Sequence, residues 1–161
     1  MWETKVMAIR ERLKESLDGI SVEKINKKPS RGEWSIAQIV LHLAGAETRF
    51  MKLALEAAQG EPAVSGGAVD LSVFDDKSKK LKAPVDPPEE PHTIDELLVA
   101  LQTSRNLTDE FIEKYSEVQL QQKTMNHHRF GIMPVWQVLE LLGRHEERHI
   151  DQIEETKKKI S

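Results

Sequence analysis

Apolar residues recur with helical period in four long stretches of this chain. Trp2, Val6, Ile9, Leu13 and Leu17 follow one another at spacings of four and three, which lines one face of a helix. Asp18-Gly19 supplies a stop, and a connector punctuated by Pro29 and Gly32 follows. Ser35 opens a second helix, with Gln38 three residues on in the capping-box position. Ile36, Ile39, Val40, Leu43, Phe50, Leu53 and Ala57 form its apolar side, and Gly60 and Pro62 end it. At about 24 residues and 1.5 Å per residue, it would be roughly 36 Å long.

Residues 61–92 carry most of the proline and glycine punctuation. A connection of this length is unusual inside a compact domain. It suits a crossover that lets the helices on either side run parallel, or a lid. Val69, Leu71, Val73 and Phe74 offer a short docked segment within it. The flanking halves are each too short to bury a core alone, so one domain over 1–161 is expected.

Thr93 caps a third helix, again with a glutamate, Glu96, three residues on. Its face is Ile94, Leu97, Leu98, Leu101, Thr108, Phe111, Ile112 and Tyr115. Residues 116–131 read as a polar connector that includes Asn126-His127-His128. Pro134 suits the first turn of a fourth helix with Val135, Val138, Leu139, Leu142, Ile150 and Ile153 on its apolar side. Lys157-Lys158-Lys159 complements the negative end of that helix's dipole. With almost no alternating strand pattern, the expected fold is an all-α four-helix bundle with a long connection between the second and third helices.

Composition narrows the chemistry. Lys plus Arg is 23 and Asp plus Glu 27, a formal charge of −4, which argues against a general nucleic-acid or anionic-membrane partner. No stretch approaches the ~18 consecutive apolar residues of a membrane span. Nothing at the start resembles a targeting signal, so a cytoplasmic location is expected. Asn106-Leu107-Thr108 fits a glycosylation sequon but falls inside the third helix, and reads as chance. There is no cysteine. That excludes disulfides, cysteine-held zinc or iron–sulfur clusters, and a thiol nucleophile borne by the chain.

Six histidines remain. His145 and His149 are four apart in Arg144-His145-Glu146-Glu147-Arg148-His149, so they stack on one helix face and continue the Val138–Leu142 stripe inward. Neutral imidazoles at that spacing can grip one metal ion; two histidines packed at the end of the core would look the same. His42 flanks the apolar face of the second helix, in line with Ile39, Ala46 and Phe50. Burying three imidazoles without partners is costly, and one shared metal would satisfy them together. A three-histidine site leaves a coordination position open for water or substrate.

The same run matches His-Glu-x-x-His, in which Glu146 would be a protease general base. Against that reading, position 152 is Gln, only residues 150–161 follow His149, and no sheet is expected ahead of the helix. Glu146 is left as a proton-transfer group or a surface residue. Gln38 and Gln152 could support the ligands, or act as a cap partner and a solvated residue. His127 and His128 could line the open side of the site, or be exposed loop residues. Trp34 and Trp136 suit packing at helix starts, and His92 lies in a loop.

Glu33-Trp34-Ser35-Ile36-Ala37-Gln38-Ile39-Val40-Leu41-His42-Leu43, followed a hundred residues later by His145-Glu146-Glu147-Arg148-His149-Ile150-Asp151-Gln152-Ile153, resembles the DinB-like superfamily over essentially the whole chain. His128-Arg129-Phe130-Gly131 belongs to the same likeness. The resemblance implies a four-helix bundle holding a divalent metal (zinc, nickel, iron or manganese) through one histidine of the second helix and the paired histidines of the fourth. Those positions are His42, His145 and His149. It also implies two kinds of chemistry: transfer of a low-molecular-weight thiol, as in bacillithiol S-transferases, or hydrolysis by an activated water. A non-catalytic metal-binding stress-response protein is a third reading, in which His127, His128 or a carboxylate would close the site. Without cysteine, thiol transfer needs an external thiol alongside a small-molecule electrophile. A homodimer through an apolar helix face is compatible with the pattern.

Overall fold

The structure is a computed structural model that describes residues 1–63, 67–76, 83 and 85–161. Its long helices are α1 (Trp2–Leu17), α3 (Ile36–Gln59), α4 (Ile94–Lys114) and α6 (Val138–Ile160), with one-turn helices α2 (Val22–Ile25) and α5 (Glu117–Leu120) in the connections. Both expected capping boxes form. The Ser35 and Thr93 hydroxyls accept from the backbone N–H groups of Gln38 and Glu96, whose side chains accept in return from the cap residues' N–H groups.

Packing contacts fix the helix directions. Residues 36–44 of α3 share an apolar cluster with Leu97 and Leu101 of α4, and residues 50–58 share another with Phe111. These two helices therefore run in the same direction, which a long crossover must connect. Trp2 packs on Gly143 at one end of the bundle, and Lys157 Nζ donates to the Ser16 carbonyl at the other, so α1 and α6 are also parallel. Val6 lies with Phe50 and Leu17 with Ile36, which sets α1 antiparallel to α3. The bundle is thus a parallel pair laid antiparallel on a second parallel pair.

The two apolar clusters are separated at mid-height by a buried charged layer with one residue from each long helix: Arg10, Glu47, Arg105 and Glu146. Arg10 Nη2 donates to Glu47 at 2.7 Å, and its Nε and Nη2 donate to Glu146 at 3.1 and 2.9 Å. Arg105 Nε and the Thr108 hydroxyl donate to the other Glu47 oxygen at 2.8 and 2.5 Å. Burial pulls the Arg10 pKa down; hydrogen bonds and charges from Glu146 and Glu47 outweigh it and hold the guanidinium's pKa above its ordinary value. The layer carries two positive and two negative groups, so its charges cancel. Thr108, the last residue of the apparent sequon, is fully buried in it.

Two expectations need correction. Residues 116–131 are not merely a polar connector: Thr124–His127 (β1) and Gly131–Pro134 (β2) pair as an antiparallel hairpin. Four residues per strand are too few for alternation to stand out in the sequence. A three-residue loop joins them, and Gly131 takes φ +69°, the left-handed conformation such loops need at their closing position. Pro134 accordingly ends β2 rather than starting a helix. A short 3₁₀ turn (Val135–Gln137) leads from it into α6.

Within the long connection, residues 69–76 dock on α6. The Gln137 side chain both donates to the Val69 carbonyl and accepts from its N–H, each at 2.8 Å. Arg148 donates to the carbonyls of Val73, Phe74 and Asp76, fixing a 3₁₀ turn over Ser72–Asp75 that buries Leu71 and Phe74. The expected docked segment therefore forms. The expected lid concerns the whole of 61–92, of which residues 64–66, 77–82 and 84 lie outside the described residues.

Candidate metal centre

His42 faces inward from α3, while His145 and His149, one turn apart on α6, face it. Their ring centroids are 4.6–5.0 Å apart, and one nitrogen from each ring lies within 4.8 Å of the others. The Nε2 atoms of His42 and His145 stand 3.2 Å apart. Two nitrogens bound to one cation at about 2.0–2.1 Å would stand roughly 2.8–3.4 Å apart for octahedral to tetrahedral angles, so this pair already has the spacing of shared coordination.

The electrostatics fit the same reading. Burial, with the neighbouring His149 and Arg49 charges, pushes His42 down to about 3. Burial also takes His149 to about 4, against a hydrogen bond to Gln152 that raises it, and holds His145 well below the usual histidine range. All three rings are therefore neutral near pH 7, the form that offers a lone pair. His149 Nδ1 lies 2.6 Å from Gln152 Oε1. An amide oxygen only accepts, so Nδ1 carries the hydrogen and Nε2 is left bare for a metal.

The cluster opens into a cavity of about 670 Å³. Trp34, packed 5.1 Å from His42, forms one wall. Phe50 and Phe74 stand edge-on to His145, each 5.6 Å away, and form others. Arg49, His127, His128, Arg129, Arg148 and Lys159 bring polar and positive groups to the lining, with Glu33, Asp151 and Glu155 as the acids. Trp34, expected to pack at a helix start with substrate stacking as the lesser reading, is thus a cavity wall.

The remaining candidates separate clearly. Gln152 touches His149, whereas Gln38 is occupied in its capping box. Glu146 points away from the imidazoles: one residue beyond His145, it is turned about 100° round the helix. It is neither at the surface nor among the histidines but in the charged layer with Arg10. His127 is buried and His128 exposed, and both line the cavity. Sequence reasoning missed Arg49 and Arg148 at the cavity, and the whole charged layer. The layer left a trace in the sequence: Arg10 and Glu47 interrupt apolar helix faces with opposite charges.

Comparison with known proteins gives the family and the fold. The family model of the DinB superfamily matches residues 7–153. The uncharacterized protein YuaE of Bacillus subtilis (strain 168) is 30% identical over 146 residues, covering 89% of this chain and 90% of its own. Among solved structures, TT2238, a four-helix bundle protein, superposes with a TM-score of 0.68 at 16% identity over 96% of this chain and 99% of that one. YfiT from Bacillus subtilis, described as a probable metal-dependent hydrolase with an unusual four-helix bundle topology, gives 0.65 at 16% identity over 98% and 84%. At such identities the two structures establish the shared fold.

Proposed function

Because this chain belongs to the DinB superfamily, we propose that it is a divalent-metal-dependent enzyme whose metal is held by His42, His145 and His149. The observation that carries the reading is three neutral imidazoles converging, within 4.8 Å, at the wall of an open cavity. A divalent cation in such a site supplies Lewis acidity that lowers the pKa of a bound thiol or water.

The chain's own residues would do the rest. Gln152 fixes the His149 ring, and Trp34, Phe50 and Phe74 shield the imidazoles from bulk water. The charged layer ties α3 to α6 through Arg10, which touches both Glu47 and Glu146, and so holds the helices that present the ligands. Thiol transfer is the leading activity: the cavity is far larger than a water nucleophile needs, and its lining includes Arg49, Arg129, Arg148 and Lys159, positive groups suited to an anionic thiol. The transfer forms a carbon–sulfur bond and breaks the substrate's bond to a leaving group, which departs with the bonding electrons (chloride from monochlorobimane), while the thiol's proton passes to solvent. Hydrolysis is the second reading, favoured by the description of YfiT.

Metal analysis of purified protein should find one divalent ion per chain, with loss in His42→Ala and His145→Ala. Stoichiometric metal in both variants would overturn the ligand assignment. The metal-loaded protein, given bacillithiol, mycothiol or glutathione with monochlorobimane, should conjugate it at a metal-dependent rate. No rate above background with any thiol would overturn thiol transfer, and ester or amide cleavage without thiol would favour the hydrolase.

A further inference from the structure

His127 ends β1, where strand alternation turns Met125 and His127 inward and Asn126 outward. Its ring packs on Phe50 at 5.1 Å and stacks on His128 at 4.3 Å, and the residue is 2% exposed. The backbone N–H of Arg129 donates to Nδ1 at 3.0 Å. A nitrogen that accepts carries no hydrogen, so the neutral ring bears its hydrogen on Nε2. That Nε2 has no hydrogen-bond partner among the described residues, and a buried N–H left alone is costly. Nor can it bind a metal while it carries the hydrogen, because moving the hydrogen to Nδ1 would break the bond from Arg129. Burial foremost, then the positive charges of His128, Arg129 and Arg49, hold His127 at about 4, which keeps the ring neutral at pH 7.

Arg49 lines the same cavity from α3, two turns beyond His42. Its guanidinium lies back along the helix toward Gly45, where a Cβ would stand 3.3 Å from Nη1. No carboxylate among the described residues pairs with it, and its charge disfavours protonation of His42, His127, His128 and His145. An arginine stays charged, so beside a divalent cation this wall presents a positive group with no directly paired carboxylate among the described residues.

We propose that His127 is a hydrogen-bond donor rather than a fourth metal ligand, and that its Nε2–H and the Arg49 guanidinium together receive an anionic oxygen of the substrate beside the three-histidine centre. The proposal rests on the metal-centre reading and adds the substrate's chemistry: a carboxylate or phosphate group carried next to the reacting atom. Backbone geometry in the hairpin sets the donor's tautomer, so the N–H is in place before the ligand arrives.

The test uses zinc-loaded protein with ¹⁵N-labelled histidine. Metal content, measured first, reports on the metal centre by itself. Long-range ¹H–¹⁵N spectra, assigned against His127→Gln, should show His127 as the neutral Nε2–H form; an Nδ1–H form or a zinc-bound Nε2 would overturn the donor role even in a protein with full zinc. Acetate and inorganic phosphate are then titrated separately against the His127 signal. Saturable binding of either supports the proposal, and which one binds tells carboxylate from phosphate. Binding, followed in the variants by ¹⁵N shifts of the zinc-binding histidines, should weaken about tenfold or more in Arg49→Gln and in His127→Phe, but stay within about threefold in His127→Gln, whose amide keeps a donor near the Nε2 position. Failure of both anions to bind, or undiminished binding in His127→Phe and Arg49→Gln, would overturn it.

Discussion

Glu146→Gln separates two roles for the glutamate of the His-Glu-x-x-His run. If Glu146 were a general base, the amide would abolish catalysis and leave stability nearly untouched. The structure places the carboxylate at 2% exposure, accepting from Arg10 Nε at 3.1 Å and Nη2 at 2.9 Å, with Arg105 Nη2 at 3.6 Å. The amide keeps one acceptor oxygen, turns an NH₂ toward a guanidinium, and leaves the layer with two positive charges against one negative. Removing one partner of a buried ion pair costs about 3–5 kcal/mol. The retained oxygen puts this change at the lower end, about 3 kcal/mol. For a chain of this length each kcal/mol moves the melting temperature by roughly 2–4 °C, so a fall of roughly 6–12 °C is expected. Thermal unfolding by circular dichroism, beside metal analysis, is the assay, with metal stoichiometry expected to stay at the wild-type value. A melting temperature within about 2 °C of wild type, or metal loss with unfolding unchanged, would refute the structural assignment.

The other expectations concern pH, ligand support and close packing. His127 sits at about 4 in the folded protein against 6.5 for the ordinary side chain. The unfolded chain therefore takes up its proton first, and stability falls as pH drops from about 6.5 toward 4. For this residue the loss reaches about 2 kcal/mol by pH 5. Urea unfolding of metal-free protein at pH 7 and pH 5 should show it, with a smaller difference in His127→Gln, and pH-independent stability across that window would contradict it. Gln152→Ala frees the His149 ring and should weaken metal affinity roughly 10–100-fold, read by competition with a chromophoric chelator. Gly143→Ala puts a Cβ 2.7 Å from the Trp2 ring, so chemical denaturation should show a loss of about 1–3 kcal/mol, partly recovered when Trp2→Leu is added.

The amino-acid sequence by itself determined the four long helices, because apolar spacing and the boxes at Ser35 and Thr93 act locally and agree with each other. It also marked His42, His145 and His149, because histidines on apolar faces need partners. The hairpin escaped because four-residue strands carry too little alternation, and that cost the sequence reading the burial and tautomer of His127. Only the tertiary structure decided where charge lies. Arg10, Glu47, Arg105 and Glu146 are each an anomaly on their own helix, and they become a neutral layer only when four helices bring them to one height. Tertiary packing also turned Glu146 away from the imidazoles and placed Arg49 in their cavity with no paired carboxylate among the described residues. Helix period is a property of neighbouring residues, whereas the fate of a buried charge depends on partners 37 to 136 positions away along the chain.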